Sequence, residues 1–356
     1  MKTMLLCPEL FARESGIQRI LRLYLKALCE TAGDGDSVGL VILNDLELPP
    51  AKLARYSNGR LALRRACDKH KARFLWAAVH GSSRVDRVVC GHLGQLVAAW
   101  LASCFNPRLD YYLVAHGIEV WKRYSVLEKL ALRRARRILC VSEFTRREMQ
   151  RRIDLPDDRY EVVPNALDPF FAEDASGESP VGGLPVILSV ARLDSAERYK
   201  GVDHLIEALP AVRQAVAGTR LRVIGSGDDL PRLTALAAQR GVADSVEFSG
   251  FADDQKLRDA YRDCTLFALP SQGEGFGIVF LEAMARGKPC LGTRAGAIPE
   301  IIDEASGVLA DYGDVPQIAA RLVWALQQPW NSAAIKARAA QFSYAAFKVR
   351  LEKALA

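Results

Sequence analysis

Short apolar runs recur along the chain, and most are followed by a polar or glycine-bearing loop and a segment with apolar residues at helical spacing. In the first half the runs at 5–8, 37–43, 87–90, 111–115, 138–141 and 160–164 predict strands; in the second half those at 185–191, 221–224, 246–251, 265–269 and 290–293 do. They are apolar on both faces rather than alternating, as strands covered on both sides by helices require. Between them, 17–28, 202–216, 278–286 and 315–327 carry the helical period, as does 342–356 at the end. Ser142 is placed to cap a further helix. Strands alternating with helices predict parallel, doubly wound α/β sheets.

With 356 residues the chain predicts two domains, not one. Residues 174–183 are acidic, small and glycine-rich, which is linker composition. We therefore divide the chain into 1–172 and 173–341. Eight scattered cysteines form no CxxC pair and mostly sit in apolar runs, which predicts a reduced, cytoplasmic protein without a zinc site. Residues 1–8 are too short for the apolar core of a signal peptide, and no apolar run is long enough to cross a bilayer.

Charge is distributed unevenly. Residues 1–170 hold 28 lysines and arginines against 19 acidic residues, a balance of +9, while the remainder of the chain stands at −3. The excess lies in 51–87 and in 121–152, with Arg133-Arg134, Arg136-Arg137, Arg146-Arg147 and Arg151-Arg152, and apolar residues interleave. Solvated helix faces are one reading. An amphipathic surface held to an anionic membrane is the other, at about 1 kcal/mol per basic side chain near the headgroups. No nucleic-acid signature accompanies these runs, so nucleic acid is not an expected partner.

Candidate chemistry concentrates in 269–301, which reads strand, glycine-punctuated loop, helix, strand. Gly287-Lys288-Pro289 ends the helix. A helix N-terminus behind such a loop offers unpaired N–H groups to an anion. Glu274 in the loop and Glu282 in the helix can each accept from hydroxyls; alternatively Glu282 pairs with Arg286 four residues on. A sugar nucleotide has hydroxyls at both ends and a diphosphate between. Arg192 and Lys200 flank another strand-end loop, where they can bind a phosphate or pair with Asp194 and Glu197. His92 and His116 end strands in the first half, where ligands of α/β sheets bind; His70 and His80 lack that context. Asp34-Gly35-Asp36 reads as a solvated turn, and no carboxylate cluster indicates a metal.

The spaced residues of 274–289, E-G-F-G-x-x-x-L-E-A-M-A-x-G-x-P, resemble the signature of family 4 glycosyltransferases, the retaining GT-B enzymes. The segments Arg192-Leu193 to Lys200-Gly201, His116-Gly117 and 294–300 are similar to other motifs of that family. Ser15-Gly16 stands where the family has a glycine pair, and Ala166 and Ala295 each replace a glycine. The resemblance implies two Rossmann-like domains facing across a cleft, with the helix 342–356 returning to the first. It implies a nucleotide-sugar donor held by Gly16, Arg192, Lys200, Phe251, Glu274, Gly275, Phe276, Gly277, Ile278 and Glu282. It places His116 on the acceptor side, where His92, at its own strand end, is read as well, and gives His116, Glu274, Arg192 and Lys200 catalytic roles. No cofactor and no metal are expected. The expected acceptor is a lipid-linked saccharide at the inner face of the membrane, to which the basic first domain attaches peripherally; GDP-mannose is the expected donor.

Overall fold

A computed structural model describes residues 1–12, 15–172 and 183–356. Apart from Gly183, the linker read at 174–183 lies outside the described residues, as do Arg13 and Glu14 of the first loop. The chain divides into one unit of Met1–Asp168 with Tyr344–Ala356 and another of Pro169–Ser343.

The first unit runs β1 (Lys2–Cys7), α1 (Gly16–Thr31), β2 (Ser37–Ile42), α2 (Pro50–Ser57), β3 (Leu61–Ala66), α3 (Lys71–Ser82), β4 (Arg87–Cys90), α4 (Leu93–Phe105), β5 (Asp110–Ala115), α5 (Val126–Arg134), β6 (Arg137–Cys140), α6 (Glu143–Gln150) and β7 (Tyr160–Val162). Its seven strands are all parallel, in the order β3-β2-β1-β4-β5-β6-β7. The second unit runs α7 (Pro169–Ala172), β8 (Val186–Val190), α8 (Val202–Ala215), β9 (Arg220–Ile224), α9 (Leu230–Gln239), β10 (Val246–Phe248), α10 (Asp254–Asp263), β11 (Leu266–Ala268), α11 (Ile278–Met284), β12 (Cys290–Thr293), α12 (Ile298–Ile301), β13 (Gly307–Ala310), α13 (Val315–Gln327) and α14 (Ser332–Ala340). Its sheet is parallel, β10-β9-β8-β11-β12-β13. Both units are Rossmann-like. The last helix, α15 (Tyr344–Leu355), belongs to the first unit, where Phe347 is fully buried edge-on to Tyr24 at 5.0 Å.

Strand order decides where ligands can go. In each sheet the chain winds outward one way from the central strand, then returns to build the other side. The reversal lies between β1 and β4 in the first sheet and between β8 and β11 in the second. Loops diverge at the carboxyl ends of those pairs and leave a crevice. The loop 191–201 leaves β8 and the loop 269–277 leaves β11, so the two motif loops of the second half flank its switch point. His92 follows β4, next to the switch point of the first sheet, and His116 follows the adjacent β5.

Two departures from the sequence expectation have simple causes. β3 forms inside the basic stretch 51–87, where the pattern predicts no strand. It is an edge strand paired only to β2, and of LALRRA only Leu61 is buried, so the apolar run that marks inner strands is missing. The strand expected at 246–251 stops at Phe248, and Phe251 stands 67% exposed in the loop beyond it.

Candidate functional site

In the second unit the loops after β8, β9, β11 and β12 are joined by hydrogen bonds. Gln272 N–H donates to the Tyr199 carbonyl at 2.8 Å, tying the 269–277 loop to the 191–201 loop. Ser195 donates through N–H and hydroxyl to Asp228, at 2.6 and 2.7 Å, tying that loop in turn to the one after β9. Ala297 N–H donates to the Glu274 carbonyl at 2.9 Å. Gly296 lies so close to the same residue that a Cβ there would sit 2.7 Å from the Glu274 nitrogen and oxygen, and its φ is +62°. Only glycine fits that turn without displacing Glu274.

On this frame Lys200 Nζ lies 2.6 Å from Glu274 Oε1. Burial pulls the Lys200 ammonium toward a lower pKa, but Glu274, Tyr199 and Glu197 together hold it above the ordinary lysine value. Arg192 pairs with Glu197, whose second oxygen is buried without a partner. The two cations are therefore not free: each carries a carboxylate, Glu197 being one of the alternatives open in the sequence and Glu274 the other motif's acid. An ammonium has three donors. A Lys200 bound to Glu274 keeps donors for an anion and is already largely desolvated.

The remaining residues of this unit are placed less uniformly. Glu282 is 2% exposed and accepts from the Tyr261 hydroxyl at 2.8 Å, a buried bond from α10. Phe276 is buried edge-on to Phe342 at 5.6 Å, so its side chain serves packing. Gly275 and Gly277 complete the loop, and Ile278 opens α11. Phe251 stands exposed, and among the described residues no ring contact joins it to this cluster.

In the first unit, His116 is buried at the end of β5. Its Nε2 lies 2.8 Å from the Gly91 carbonyl. A carbonyl only accepts, so Nε2 carries the proton. Burial holds the ring's pKa down at about 4 against the opposing Gly91 bond, so the imidazole is neutral and Nδ1 keeps its lone pair. His92 caps α4: its Nδ1 accepts from Gly94 N–H at 3.0 Å, which leaves the proton on Nε2. Burial lowers its pKa too, opposed by the Glu119 charge. The two rings thus offer one acceptor and one donor, which suits a hydroxyl. Gly16 is the exposed first residue of α1 and makes no side-chain contribution. Asp36 accepts from Gly33 N–H at 2.9 Å, as a turn would. Among the described residues no group of three or more His, Cys, Asp or Glu is placed to hold a metal.

Sequence reasoning passed over Glu119, Glu197 as a site member, Gln272 and Tyr261. Glu119 and Glu197 were legible in principle, each within five residues of the site residue it binds; Gln272 and Tyr261 act through bonds to segments distant in sequence that no local pattern encodes.

Residues 23–170 match the model described as Glycosyltransferase Family 4, and residues 172–348 match the model described as Glycosyl transferases group 1. A GDP-mannose-dependent alpha-(1-6)-phosphatidylinositol monomannoside mannosyltransferase of Mycolicibacterium smegmatis is 32% identical over 62% of this chain and 62% of its own length. A protein of the same name from Mycobacterium tuberculosis H37Rv is 35% identical over 39% of this chain and 37% of its own length. The match thus spans less than two thirds of each relative. Among solved structures, Anabaena HepE in complex with UDP and glucose aligns over 100% of this chain and 99% of its own, with a TM-score of 0.81 at 19% identity. The apo lipopolysaccharide outer core galactosyltransferase WaaB aligns over the same shares with a TM-score of 0.77 at 18% identity.

Proposed function

The chain belongs to glycosyltransferase family 4, and from that premise we propose that it transfers mannose from GDP-mannose to a lipid-linked saccharide at the inner face of the membrane, in polysaccharide biosynthesis. The observation that carries this reading is the 2.6 Å contact of Lys200 with Glu274. It joins the cation of one donor motif to the carboxylate of the other, at the switch point of the second sheet.

Transfer breaks the bond from the anomeric carbon to the diphosphate, and negative charge builds on the leaving oxygens. Lys200 and Arg192 stabilise that charge together with the amides after Phe276, which is electrostatic catalysis needing no metal. Glu274 keeps a second oxygen for the donor sugar's hydroxyls and fixes the sugar's orientation. Glu282, held by Tyr261, takes the ribose. His92 and His116 bind the acceptor saccharide, and transfer proceeds with retention of configuration. Arg151 and Arg152 both pair with Glu148 on α6. On α5, by contrast, Val126, Leu127 and Leu130 are exposed beside Lys129 and Arg133. An outward face of leucines among basic residues favours α5 as the membrane contact. No helix among the described residues is long and apolar enough to cross a membrane, so the proposed attachment is peripheral.

A thermal-shift screen of GDP- and UDP-sugars, followed by slow donor hydrolysis, tests the reading. Stabilisation by GDP-mannose and hydrolysis abolished in Lys200→Ala are the expected results. No shift with any nucleotide sugar overturns it, and a UDP-sugar shift moves the donor while keeping the activity.

A further inference from the structure

The turn after β5 contains a carboxylate, Glu119, that is bound by main-chain N–H groups. Glu119 Oε1 accepts from the His116 main-chain N–H at 2.5 Å. The amides of Gly117 and of Glu119 itself are also turned toward it. Among the described residues no lysine or arginine forms an ion pair with Glu119; Lys122, three positions on, pairs with Glu128 instead. The charge is therefore held by main-chain N–H groups. Burial pushes the carboxyl's pKa up, and these amides and His92 oppose that. Gly117 stands at φ +146° and ψ −113°, a conformation in which other residues are strained. The turn is unusual, and Glu119 satisfies the N–H groups it leaves over.

His116 is consequently fixed at both ends. Glu119 holds its backbone N–H, and the Gly91 carbonyl holds its ring through Nε2. Gly91 is itself tied to the central strand, its N–H donating to Leu6 at 2.7 Å. Nδ1 is the ring atom left over, and it has no hydrogen-bond partner among the described residues. A hydroxyl at a fixed place meets an acceptor there only while the ring keeps this tautomer and this orientation.

We propose that Glu119 is a positioning residue: by gripping the amides of the His116–Gly117 turn it keeps the imidazole seated on Gly91, so that Nδ1 accepts from a hydroxyl of the acceptor saccharide. This rests on the reading of His116 as an acceptor-side residue and adds the group that makes it competent. Glu119 itself touches neither substrate. A purely structural role would cost stability when Glu119 is lost, but would leave the ring tautomer and the ratio of donor to acceptor kinetics unmoved.

The test uses the full chain with 15N-labelled histidine and three variants, Glu119→Ala, Glu119→Gln and His116→Ala. Ring nitrogen shifts report the His116 tautomer. Transfer is followed from GDP-mannose to octyl α-mannoside. In wild type and Glu119→Gln, whose amide oxygen still accepts, Nε2 is protonated and Nδ1 bare; in Glu119→Ala the two tautomers mix. In Glu119→Ala kcat falls about tenfold or more with donor KM unchanged, and Glu119→Gln stays within about threefold of wild type. An unaltered His116 tautomer in Glu119→Ala overturns the proposal, as does wild-type transfer by Glu119→Ala when His116→Ala is slowed. If Glu119→Ala does not fold, Glu119→Leu, which fills the space without an acceptor, takes its place: mixed tautomers with slowed transfer support the proposal, and a wild-type spectrum overturns it. If wild type transfers to no mannoside, the functional reading has failed, and the tautomer spectra still decide the positioning.

Discussion

Lys200 Nζ and Glu274 Oε1 meet at 2.6 Å across two loops that are 74 residues apart in sequence and leave adjacent strands. Both side chains are largely buried, so each compensates the other's loss of water. Removing one partner leaves a largely buried charge without its nearest counter-ion, which costs more than the net value of the pair. Lys200→Met and Glu274→Gln are each expected to destabilise the fold by about 1–3 kcal/mol, with the double variant losing less than their sum. Urea denaturation of the four proteins measures the coupling, and additive losses would show that the pair is not formed in solution.

Gly296 controls the same carboxylate from the other side. An alanine Cβ would overlap the Glu274 main chain at 2.7 Å. Gly296→Ala is expected to lower kcat more than tenfold while costing only about 1–3 kcal/mol of stability from the left-handed φ and the displaced loop. Comparing kcat with the thermal midpoint separates the two effects. A variant with full activity and a lowered midpoint would mean that the loop tolerates the shift.

The neutral state of His116 gives stability a pH dependence. Its folded pKa is about 4 against 6.5 for a free histidine. Between those values the unfolded chain binds a proton that the folded chain refuses, so this group's contribution is intact above pH 6.5 and is lost as pH falls toward 4. The full effect is up to about 3 kcal/mol. His116→Gln is expected to flatten stability against pH over that window relative to wild type. Denaturant midpoints at intervals from pH 7 to pH 4 check this, and parallel curves would contradict the buried neutral ring.

Membrane contact through α5 predicts a result that bulk basicity alone does not. Leu127→Glu with Leu130→Glu leaves every arginine in place, yet is expected to abolish binding to phosphatidylglycerol vesicles at low and high salt. Removing Lys129 and Arg133 is expected to weaken binding mainly at low salt, by about 1 kcal/mol per residue. Co-sedimentation reads both. Unchanged partitioning of the leucine variant would point to charge spread over the first unit instead.

How much of this was legible beforehand depends on which interactions set each feature. The doubly wound class followed from runs such as 37–43 and 290–293, because strands covered on both faces need continuous apolar residues. β3 was hidden because an edge strand needs them on one face only. The partners of Arg192 and Lys200 were offered as Asp194 and Glu197, both local. Glu197 was found, but Glu274 was beyond reach because its partnership depends on β8 lying beside β11. The ring of Phe276 packs on Phe342, a contact with a residue 66 positions away that its motif does not announce. Local pattern carried the elements and the motif positions; the pairings belong to strand order.

The anchoring of α15 yields the last prediction. Its final carbonyls would be bare at the helix end. Instead Arg137 Nη1 donates to the Ala354 carbonyl at 2.8 Å, Arg87 Nη1 to that of Leu355 at 3.1 Å, and the Tyr112 hydroxyl to Leu355 at 3.3 Å. Two guanidinium groups also face the negative end of the helix dipole, a favourable arrangement. Arg87 makes a second bond, from Nε to Thr3 Oγ1 at 2.8 Å. Arg137→Ala is therefore expected to cost about 1–2 kcal/mol, and Arg87→Ala more because it loses the link to β1 as well. Deleting Tyr344–Ala356 removes fully buried Phe347 and its contact with Tyr24, a loss that by itself reaches about 3–5 kcal/mol. That approaches the low end of a domain's whole stability, about 5–15 kcal/mol. The truncated chain is expected to show an early unfolding transition for the first unit and an unshifted one for the second, whose core contains no residue of α15. Limited proteolysis along a urea series distinguishes them: early cuts confined to residues before 169 support the anchoring, and simultaneous loss of both units would show that they unfold as one.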